Sequence, residues 1–159
     1  MNQPTTRQSG IINVDFGKNV SITEPVNIYG CKIGDDCQIG PFCEIQKDVV
    51  IGMKTKVQSH TFICELVEIG HSCFIGHGVM FVNDLFRKGG PANGNKDLWF
   101  STKIGNNVSI GSNATILAVE ICDNVVIGAG STVTRNINNP GIYAGNPARF
   151  LRPFKINQL

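Results

Sequence analysis

An adjacent asparagine and aspartate open the longest stretch of this sequence that lacks a repeated pattern. Asn83 and Asp84 are followed, up to Lys103, by the turn signals Gly-Gly-Pro and Asn-Gly and by several aromatic residues. Exposure of Phe86, Trp99 and Phe100 to solvent would be costly, so we expect these aromatic side chains to pack against a neighbouring subunit or a ligand. Long loops on a regular scaffold are usually functional. We therefore predict that 83–103 is a binding loop, with a simple tolerated insertion as the alternative.

Imidazole and guanidinium side chains supply further candidates. Histidine is the side chain whose unperturbed pKa lies nearest neutral pH, which makes His60 and His77 candidate general bases. Guanidinium groups bind phosphates well, so Arg135, Arg149 and Arg152 form a candidate phosphate site. The alternatives are a solvated basic surface for the arginines, and a structural or substrate-packing role for the histidines.

Composition excludes several classes of protein. The chain has 159 residues, 42% hydrophobic residues and a net charge of +2. This suits one folded domain and gives no reason to expect a nucleic acid or an acidic membrane as partner. We find no apolar run long enough to span a membrane and no secretory signal at the start. These features favour a cytoplasmic protein.

The element that must position the candidate residues is a repeat of six. Apolar residues recur at every sixth position over most of the chain, with one extra residue before Ile33, a long break after Phe81 and a step shortened by one before Ile121. The series runs Val14, Val20, Val26, Ile33, Ile39, Ile45, Ile51, Val57, Ile63, Ile69, Ile75, Phe81, Ile104, Ile110, Ile116, Ile121, Ile127 and Val133.

Neither an α-helix nor an ordinary β-strand has a period of six. We predict that each unit forms one short strand and one corner, so that eighteen residues complete a triangular turn around a continuous core. The glycine that often follows the apolar residue is predicted to adopt a backbone conformation that other residues resist. The prediction is a single domain over 1–159, with repeats at about 14–137, an extruded loop at about 83–103 and a short irregular tail at 138–159.

Residues eighteen apart stack in such a coil, and this predicts neighbours. Asn83 lies at a corner directly above Glu65, which we predict to contact the substrate together with His77 and Arg87. A carboxylate or diphosphate is the group that Arg87 would meet, and a solvated loop residue is the alternative.

The six cysteines are predicted to be structural. None forms a CxxC pair, so a zinc ribbon or a redox motif is not indicated. Cys37, Cys43 and Cys73 fall at the small inward position of the repeat, whereas Cys64 and Cys122 take the place of the usual glycine. We expect buried, inert thiols.

The repeats, with the segments GAGSTVTRNI and YAGNPARFLR, resemble the hexapeptide-repeat acyltransferases. The similarity extends from about Val14 to Arg152. It implies an all-β fold, a left-handed parallel β-helix. Since crossovers between parallel strands are ordinarily right-handed, the hand comes from the resemblance alone. The segment MFVNDLFRK looks like the motif with which nucleotide-sugar N-acetyltransferases begin their active-site loop.

This resemblance implies an activity. Such enzymes use acetyl-CoA, without a metal, to acetylate the 3-amino group of a UDP- or dTDP-linked dideoxyhexose for surface polysaccharide biosynthesis. They are homotrimers whose active sites lie between subunits. By motif, Asn83 meets the amine and the thioester, Asp84 orients the acceptor, and His60 is a candidate base. The residues implied to bind acetyl-CoA are Gly111 and Ala129 at the pantetheine arm, and Thr134, Arg135, Arg149 and Arg152 at the adenine and phosphate end.

Departures from the family pattern leave part of this open. The step between Ile116 and Ile121 is one residue short, and Cys122 replaces a repeat glycine; either change alters the expected CoA groove locally. The loop has Arg87-Lys88-Gly89 where Pro-Arg-Ser often stands. The nucleotide and the sugar therefore remain open.

The missing loop histidine favours an amine as acceptor. O-acetyltransferases of this superfamily resemble one another in a loop histidine that deprotonates a hydroxyl, and 83–103 contains none. An amine with a pKa of roughly 8 is partly neutral without such a base. The alternatives are a sugar O-acetyltransferase, a non-catalytic β-helix scaffold, and a γ-type carbonic anhydrase using His60, His71 and His77, whose spacing does not match that family.

Overall fold

A computed structural model describes residues 3–6 and 8–153 of the chain. This part of the chain is built from very short β-strands, together with one 3-10 turn at Lys96–Leu98. The strands are β1 (Ile11–Ile12), β2 (Asp15–Phe16), β3 (Ser21–Ile22), β4 (Asn27–Tyr29), β5 (Lys32–Ile33), β6 (Gln38–Ile39), β7 (Glu44–Ile45), β8 (Val50–Ile51), β9 (Lys56–Val57), β10 (Phe62–Ile63), β11 (Val67–Ile69), β12 (Phe74–Ile75), β13 (Met80–Phe81), β14 (Thr102–Ile104), β15 (Ser109–Ile110), β16 (Thr115–Ile116), β17 (Glu120–Ile121), β18 (Val125–Ile127), β19 (Thr132–Val133), β20 (Gly141–Ala144) and β21 (Arg149–Arg152).

Successive strands belong to three different sheets. Sheet 1 contains β1, β4, β7, β10, β13, β16 and β19; sheet 2 contains β2, β5, β8, β11, β14 and β17; sheet 3 contains β3, β6, β9, β12, β15, β18, β20 and β21. The predicted left-handed parallel β-helix is confirmed, with about seven turns. Among the described residues no helix is long and apolar enough to cross a membrane.

The core consists of stacked apolar side chains from all three sheets. Phe81, Ile45, Ile63 and Ile75 are essentially inaccessible to solvent. Burial of a side chain of this size stabilises the fold by about 1.5–3 kcal/mol. The predicted inward positions of Cys37, Cys43 and Cys73 are also confirmed.

The repeat glycines have a different role from the predicted one. The left-handed backbone conformation falls two residues later, on residues such as Asp36, Asp48 and Asn107, which have φ values of 57°, 62° and 55°. The repeat glycine is required instead by close approach of the next turn. A Cβ on Gly70 would lie 2.6 Å from the carbonyl oxygen of Gly105.

The inward apolar residues of the first turn also differ from the predicted ones. Ile28 lies in the apolar stack of sheet 1, paired with Ile45, and Ile22 pairs with Ile39 in sheet 3. Val26 fills the smaller inward position beside them. The irregularity before Ile33 is therefore a shortened step from Ile28, not an inserted residue.

The tail predicted to be irregular carries two strands. β20 adds to sheet 3 in parallel with β18, and β21 folds back antiparallel to β20. The aromatic ring of Tyr143 packs edge-on against that of Phe150, with centroids 5.4 Å apart. Residues 154–159 lie outside the described part of the chain.

Three corners connect the sheets, and they differ in character. The loop corner follows the strands of sheet 1 and carries Glu65, Asn83 and the extruded loop. The glycine corner follows sheet 2 and carries Gly52 and Gly70. The histidine corner follows sheet 3 and carries His60, His77, Gly111 and Ala129.

Candidate functional site

A cleft of about 480 Å³ lies at the root of the extruded loop. Its floor is the outer surface of sheet 1 and the loop corner, and its far wall is the loop itself. The cleft is lined by Gln46, Phe62, Cys64, Glu65, Met80, Phe81, Val82, Asn83, Asp84, Phe86 and Trp99. Two carboxylates and two amides are thus surrounded by apolar and aromatic side chains.

Asn83 is held at the predicted corner, directly above Glu65. Its Nδ2 donates a hydrogen bond of 3.2 Å to the backbone oxygen of Glu65. Its own backbone oxygen accepts a 2.9 Å bond from the N–H of Phe100, where the loop returns. Because a carbonyl oxygen only accepts, the amide nitrogen must face Glu65. The Asn83 Oδ1 is therefore the atom left to accept from a ligand.

Glu65 is a largely covered carboxylate at the same corner. Its side chain retains 12% of its accessible surface. Oε2 accepts a 2.5 Å hydrogen bond from Lys96 Nζ on the loop, and Lys47 Nζ lies 4.0 Å from the same oxygen. The bond to Glu65 raises the pKa of the exposed Lys96 ammonium. Within the described residues, Glu65 Oε1 has no hydrogen-bond partner.

Asp84 makes contacts that organise the loop. One carboxylate oxygen accepts a 3.0 Å bond from the N–H of Phe86, and the other accepts a 2.7 Å bond from the N–H of Ala92. Its backbone also bridges to that of Trp99 on the returning strand. Both oxygens are engaged by the loop, so the described contacts of Asp84 brace the loop. The expected contact of Asp84 with the acceptor stays a prediction.

Arg87 stacks within the loop. Its guanidinium carbon lies 4.0 Å from the centre of the Phe100 ring, a geometry that stabilises the pair through the cation–π interaction. Lys96 lies 5.3 Å from the centre of the Trp99 ring. Arg87 is not among the residues that line the cleft.

His60 and His77 are at the histidine corner, away from Asn83. The ring of His60 stacks on that of Phe42, with centroids 4.9 Å apart. His77 Nδ1 lies 2.9 Å from Ser59 Oγ. Within one chain, sheet 1 separates both histidines from the loop root.

The residues expected to bind the cofactor fall in two places. Gly111 and Ala129 stack on the histidine corner, where a Cβ on Gly111 would clash with the backbone nitrogen of Ala129. Thr134, Arg135 and Arg149 line a small hollow of about 190 Å³ at the C-terminal end of the prism.

Arg152 is on the outer strand of sheet 3, opposite Ile142, and does not line that hollow. Of the four residues expected at the adenine and phosphate end, three therefore line the same hollow, and Arg152 does not.

His71 occupies the third, glycine corner. Its Nδ1 accepts a 3.1 Å bond from the N–H of Met53 one turn earlier. In the part of the chain that the structure describes, no group of three or more histidine, cysteine, aspartate or glutamate side chains is arranged to hold a metal ion. One chain by itself therefore does not assemble His60, His71 and His77 into a three-histidine site.

Two segments of the chain match models of known repeat families. Residues 30–65 match the bacterial transferase hexapeptide (six repeats), and residues 101–135 match the hexapeptide repeat of succinyl-transferase. The chain carries the hexapeptide repeat of the bacterial transferases. The resemblance predicted from the sequence is confirmed.

Curated relatives match the repeat domain of this hexapeptide-repeat chain and extend well beyond it. The bifunctional protein GlmU of Streptococcus uberis is 32% identical over 155 residues, which cover 92% of this chain and 33% of the relative. GlmU of Clostridium botulinum is 39% identical over 107 residues, covering 67% and 21%. The chain spans about a third or less of the length of these relatives.

Solved structures share the fold. A point mutant of AntD, an N-acyltransferase from Bacillus cereus, superimposes with a TM-score of 0.78 at 24% identity, covering 91% of this chain and 86% of AntD. A point mutant of perosamine N-acetyltransferase from Caulobacter crescentus superimposes with a TM-score of 0.62 at 16% identity, covering 87% and 57%. Because these sequence identities are below 25%, the similarity shows that the fold is shared.

Sequence reasoning missed two lysines that contact Glu65 beside the cleft. Lys47 lies eighteen residues before Glu65, so the spacing that found Glu65 could have found it as well. Lys96 reaches Glu65 through the path of the loop, for which the repeat gives no signal. Burial raises the pKa of the Cys64 thiol, which lines the cleft, to about 12, so this thiol is protonated at neutral pH.

Proposed function

We propose that the chain is an acetyl-CoA-dependent N-acetyltransferase that acts on the amino group of a nucleotide-linked amino sugar, of the 3-amino-dideoxyhexose type, for surface polysaccharide biosynthesis. The observation that carries this proposal is the orientation of Asn83 in the cleft at the root of the extruded loop, which we call the loop-root cleft. Its amide presents an oxygen to the ligand, and an oxygen acceptor suits an N–H donor.

Structures of the same fold support this chemistry. AntD was solved in complex with dTDP and coenzyme A, and perosamine N-acetyltransferase in complex with CoA and GDP-perosamine. Both are named for transfer to nitrogen. We infer that this chain, too, takes a nucleotide sugar and an acyl-CoA.

The reaction is an attack of a neutral amine on the thioester carbonyl. The acceptor loses one proton to solvent, the N–C bond forms, and the tetrahedral oxyanion collapses as the C–S bond breaks. The CoA thiolate takes the second proton of the nitrogen as it leaves. Asn83 Oδ1 would hold the amine in line with the carbonyl, which lowers the entropic part of the barrier. Backbone N–H groups beside the groove would stabilise the oxyanion.

The cofactor would lie along the prism, and its binding residues are proposals. Gly111 and Ala129 would contact the pantetheine arm, and Thr134, Arg135 and Arg149 would meet the adenine and phosphate end, with Arg152 beyond them. Within one chain, Gly111 and Ala129 lie at the histidine corner, whereas Thr134 lies at the loop corner. A homotrimer in the cytoplasm, with active sites between subunits, would bring a second copy to complete the site.

In such an assembly His60 or His77 could take part in the reaction only from a neighbouring subunit. Within one chain neither histidine reaches Asn83, as described above. The amine mechanism assigns them no step, because the acceptor nitrogen gives its protons to solvent and to the CoA thiolate.

Acetyl transfer to a panel of nucleotide sugars tests the proposal. The panel contains UDP- and dTDP-linked 3-amino-3,6-dideoxyglucose and the 3-hydroxy counterpart of each, with acetyl-CoA and release of CoA thiol as the signal. We expect transfer to an amino sugar, and Asn83→Ala should lower kcat/KM about 100-fold. His60→Ala is the control and should retain most of the activity. Activity retained in Asn83→Ala and lost in His60→Ala would contradict the mechanism, and transfer only to the hydroxy sugars would identify an O-acetyltransferase.

A further inference from the structure

The charge distribution in the loop-root cleft points to a device that selects the acceptor. The acidic residues that line the cleft are Glu65 and Asp84, and two lysines outside this lining, Lys96 and Lys47, approach Glu65. An amino sugar at neutral pH is largely an ammonium ion, whereas the corresponding hydroxyl is neutral. A carboxylate in the cleft would therefore attract one acceptor and not the other.

Asp84 is already committed to the loop. Each of its two oxygens accepts a backbone N–H, from Phe86 and from Ala92. Two such charge-assisted bonds to one carboxylate are favourable and engage both of its oxygens. A ligand would have to displace the loop backbone to reach this group.

Glu65 is held in a different way. Lys96 and Lys47 both approach the same oxygen, Oε2, at 2.5 and 4.0 Å. This contact orients the carboxylate but leaves Oε1 without a partner among the described residues. Lys96 and Lys47 offset part of the charge of Glu65, but with its side chain only 12% exposed the remaining charge is weakly screened by solvent, and Oε1 is available to accept from a ligand in the cleft.

The neighbouring groups complete an arrangement for a donor with more than one N–H. The backbone oxygen of Glu65 orients the Asn83 amide, so that Asn83 Oδ1 also accepts. An ammonium group carries three N–H donors and a hydroxyl carries one. The apolar surroundings, which include Phe62, Met80 and Trp99, strengthen a charge interaction by excluding water.

We propose that Glu65 binds the positively charged amino group of the acceptor through Oε1, and that Lys96 is a positioning residue that holds Glu65 through Oε2. Glu65 is then the specificity-determining residue for an amine over a hydroxyl. This inference rests on the proposed function, because it assigns the acceptor side of the same site.

The experiment compares the binding of two sugars that differ only at carbon 3. Calorimetry measures the Kd of the dTDP- or UDP-linked 3-amino-3,6-dideoxyglucose and of its 3-hydroxy counterpart, using whichever nucleotide the wild type accepts. We expect the wild type to bind the amino sugar about 10- to 100-fold more tightly than the hydroxy sugar. Glu65→Gln preserves the shape of the side chain but removes the charge, so the ratio of the two Kd values should approach one.

Two further variants separate binding from loop anchoring. Lys96→Met keeps the carboxylate but removes its partner, so the preference for the amino sugar should persist even if both affinities fall. Glu68→Gln makes the same change on the exposed outer face of β11, in the same turn, and should leave the ratio unchanged. A thermal unfolding curve for each variant shows that it is folded.

The outcomes distinguish the two levels of the proposal. If the wild type acetylates no amino sugar, the proposed function is wrong. If it does, but Glu65→Gln keeps the full preference for the amine, the assignment of Glu65 is wrong while the function stands. An equal loss of preference in Glu65→Gln and Lys96→Met would show that Glu65 only anchors the loop, which also overturns the inference.

Discussion

Two corners of the same prism accommodate irregularity in opposite ways. At the glycine corner every step from a sheet 2 strand to the next sheet 3 strand is six residues long, from Phe16–Ile22 to Ile121–Ile127. At the loop corner the steps vary. Ile28 to Ile33 is five residues, and the step from Phe81 to Ile104 contains the whole extruded loop. All departures from the period of six, including the short step after Ile116, fall at the loop corner.

Side-chain size at the first corner position explains the difference. The glycine corner has glycine there in nearly every turn, and each glycine meets the backbone of the next turn at distances that exclude a Cβ. The loop corner has larger residues in the same position. The two series are Gly17, Gly34, Gly52, Gly70, Gly105 and Cys122 at the glycine corner, and Ile12, Tyr29, Gln46, Cys64, Val82, Leu117 and Thr134 at the loop corner.

The comparison indicates which corner of the fold can admit a loop and form a cleft. Where the backbones of successive turns touch, an insertion would separate them and expose the core. Where side chains already stand between the turns, a loop can leave and return, and the same side chains become the wall of a cleft. The predicted site is at the corner that tolerates variation, supported by corners that do not.

The largest expected difference between the corners is in thiol reactivity. Cys64 and Cys122 occupy equivalent positions, but Cys64 is buried under the loop root and Cys122 is half-buried near the end of the glycine corner. Burial raises the pKa of the Cys64 thiol from 9.0 to about 12, which lowers its thiolate fraction at pH 8 by about 1000-fold relative to an unperturbed thiol. Burial also raises the pKa of the Cys122 thiol, but this side chain is more accessible to the reagent. Iodoacetamide labelling followed by mass spectrometry should modify Cys122 well before Cys64. After unfolding in about 8 M urea, both should react at similar rates.

Rapid native labelling of Cys64 would break the comparison, since it would mean that the loop root is open to solvent. The same shift predicts a pH dependence of stability. Because the pKa of the folded thiol lies above that of the unfolded one, the stabilisation is complete below about pH 9 and is lost as the pH rises towards about 12.

The next largest effect concerns the glycine corner. Gly70→Val would place a side chain against the backbone oxygen of Gly105 and the side chain of Asn106, both within 2.6 Å of the new Cβ. We expect a loss of about 3 kcal/mol in the free energy of unfolding, measured in urea. Gly90→Val makes the same change in the extruded loop, where nothing lies within 4 Å of the Cβ, and should be nearly neutral. Equal effects at both sites would show that turn-to-turn contact does not distinguish the corners.

A smaller effect on activity is expected from removing the two hydrogen bonds that Asp84 accepts within the loop. Asp84→Ala removes acceptors from the N–H groups of Phe86 and Ala92, so the loop loses its internal tie while the cleft floor is unchanged. We expect kcat/KM to fall about 10-fold and trypsin to cleave faster after Arg87 or Lys88.

Asp97→Ala is the matched control for that experiment. Asp97 lies in the same loop, and within the described residues its carboxylate accepts no hydrogen bond. A loss of activity in Asp84→Ala without any change in proteolysis would instead favour the contact with the acceptor that the family resemblance implies.

The repeat predicted much of this molecule, because its spacing reports directly on packing. It identified the buried stack that includes Ile75 and placed Asn83 above Glu65, as observed. It failed where the structure depends on contacts outside the repeat. The pairing of β20 with β18 and the path that brings Lys96 to Glu65 are set by tertiary contacts, and no period in the sequence encodes them.

The smallest effect that we predict concerns the hydrogen bonds between side chains and backbone of successive turns at the glycine corner, which we call the side-chain ladder. Asn106 Oδ1 accepts a 2.8 Å bond from the N–H of His71 one turn below, and the N–H of Asn106 donates a 2.7 Å bond to Asp123 Oδ1 above. Such bonds satisfy backbone donors that the corner leaves outside the sheets. Asn106→Ala removes the first bond and a longer bond of 3.4 Å from Asn106 Nδ2 to Asp123 Oδ2, and because the site is partly solvated, we expect a loss of about 1 kcal/mol in the free energy of unfolding.

Ser112→Ala is the control, at the same position of the next corner in the same turn. Within the described residues the Ser112 hydroxyl makes no hydrogen bond to protein, so the change should be within about 0.5 kcal/mol of wild type. If both variants are neutral, the glycine corner depends on backbone contact alone and the ladder adds nothing. A loss at Asn106 alone would show that this corner is stabilised twice, by close turn-to-turn contact and by side-chain bonds, which is consistent with its uniform step length.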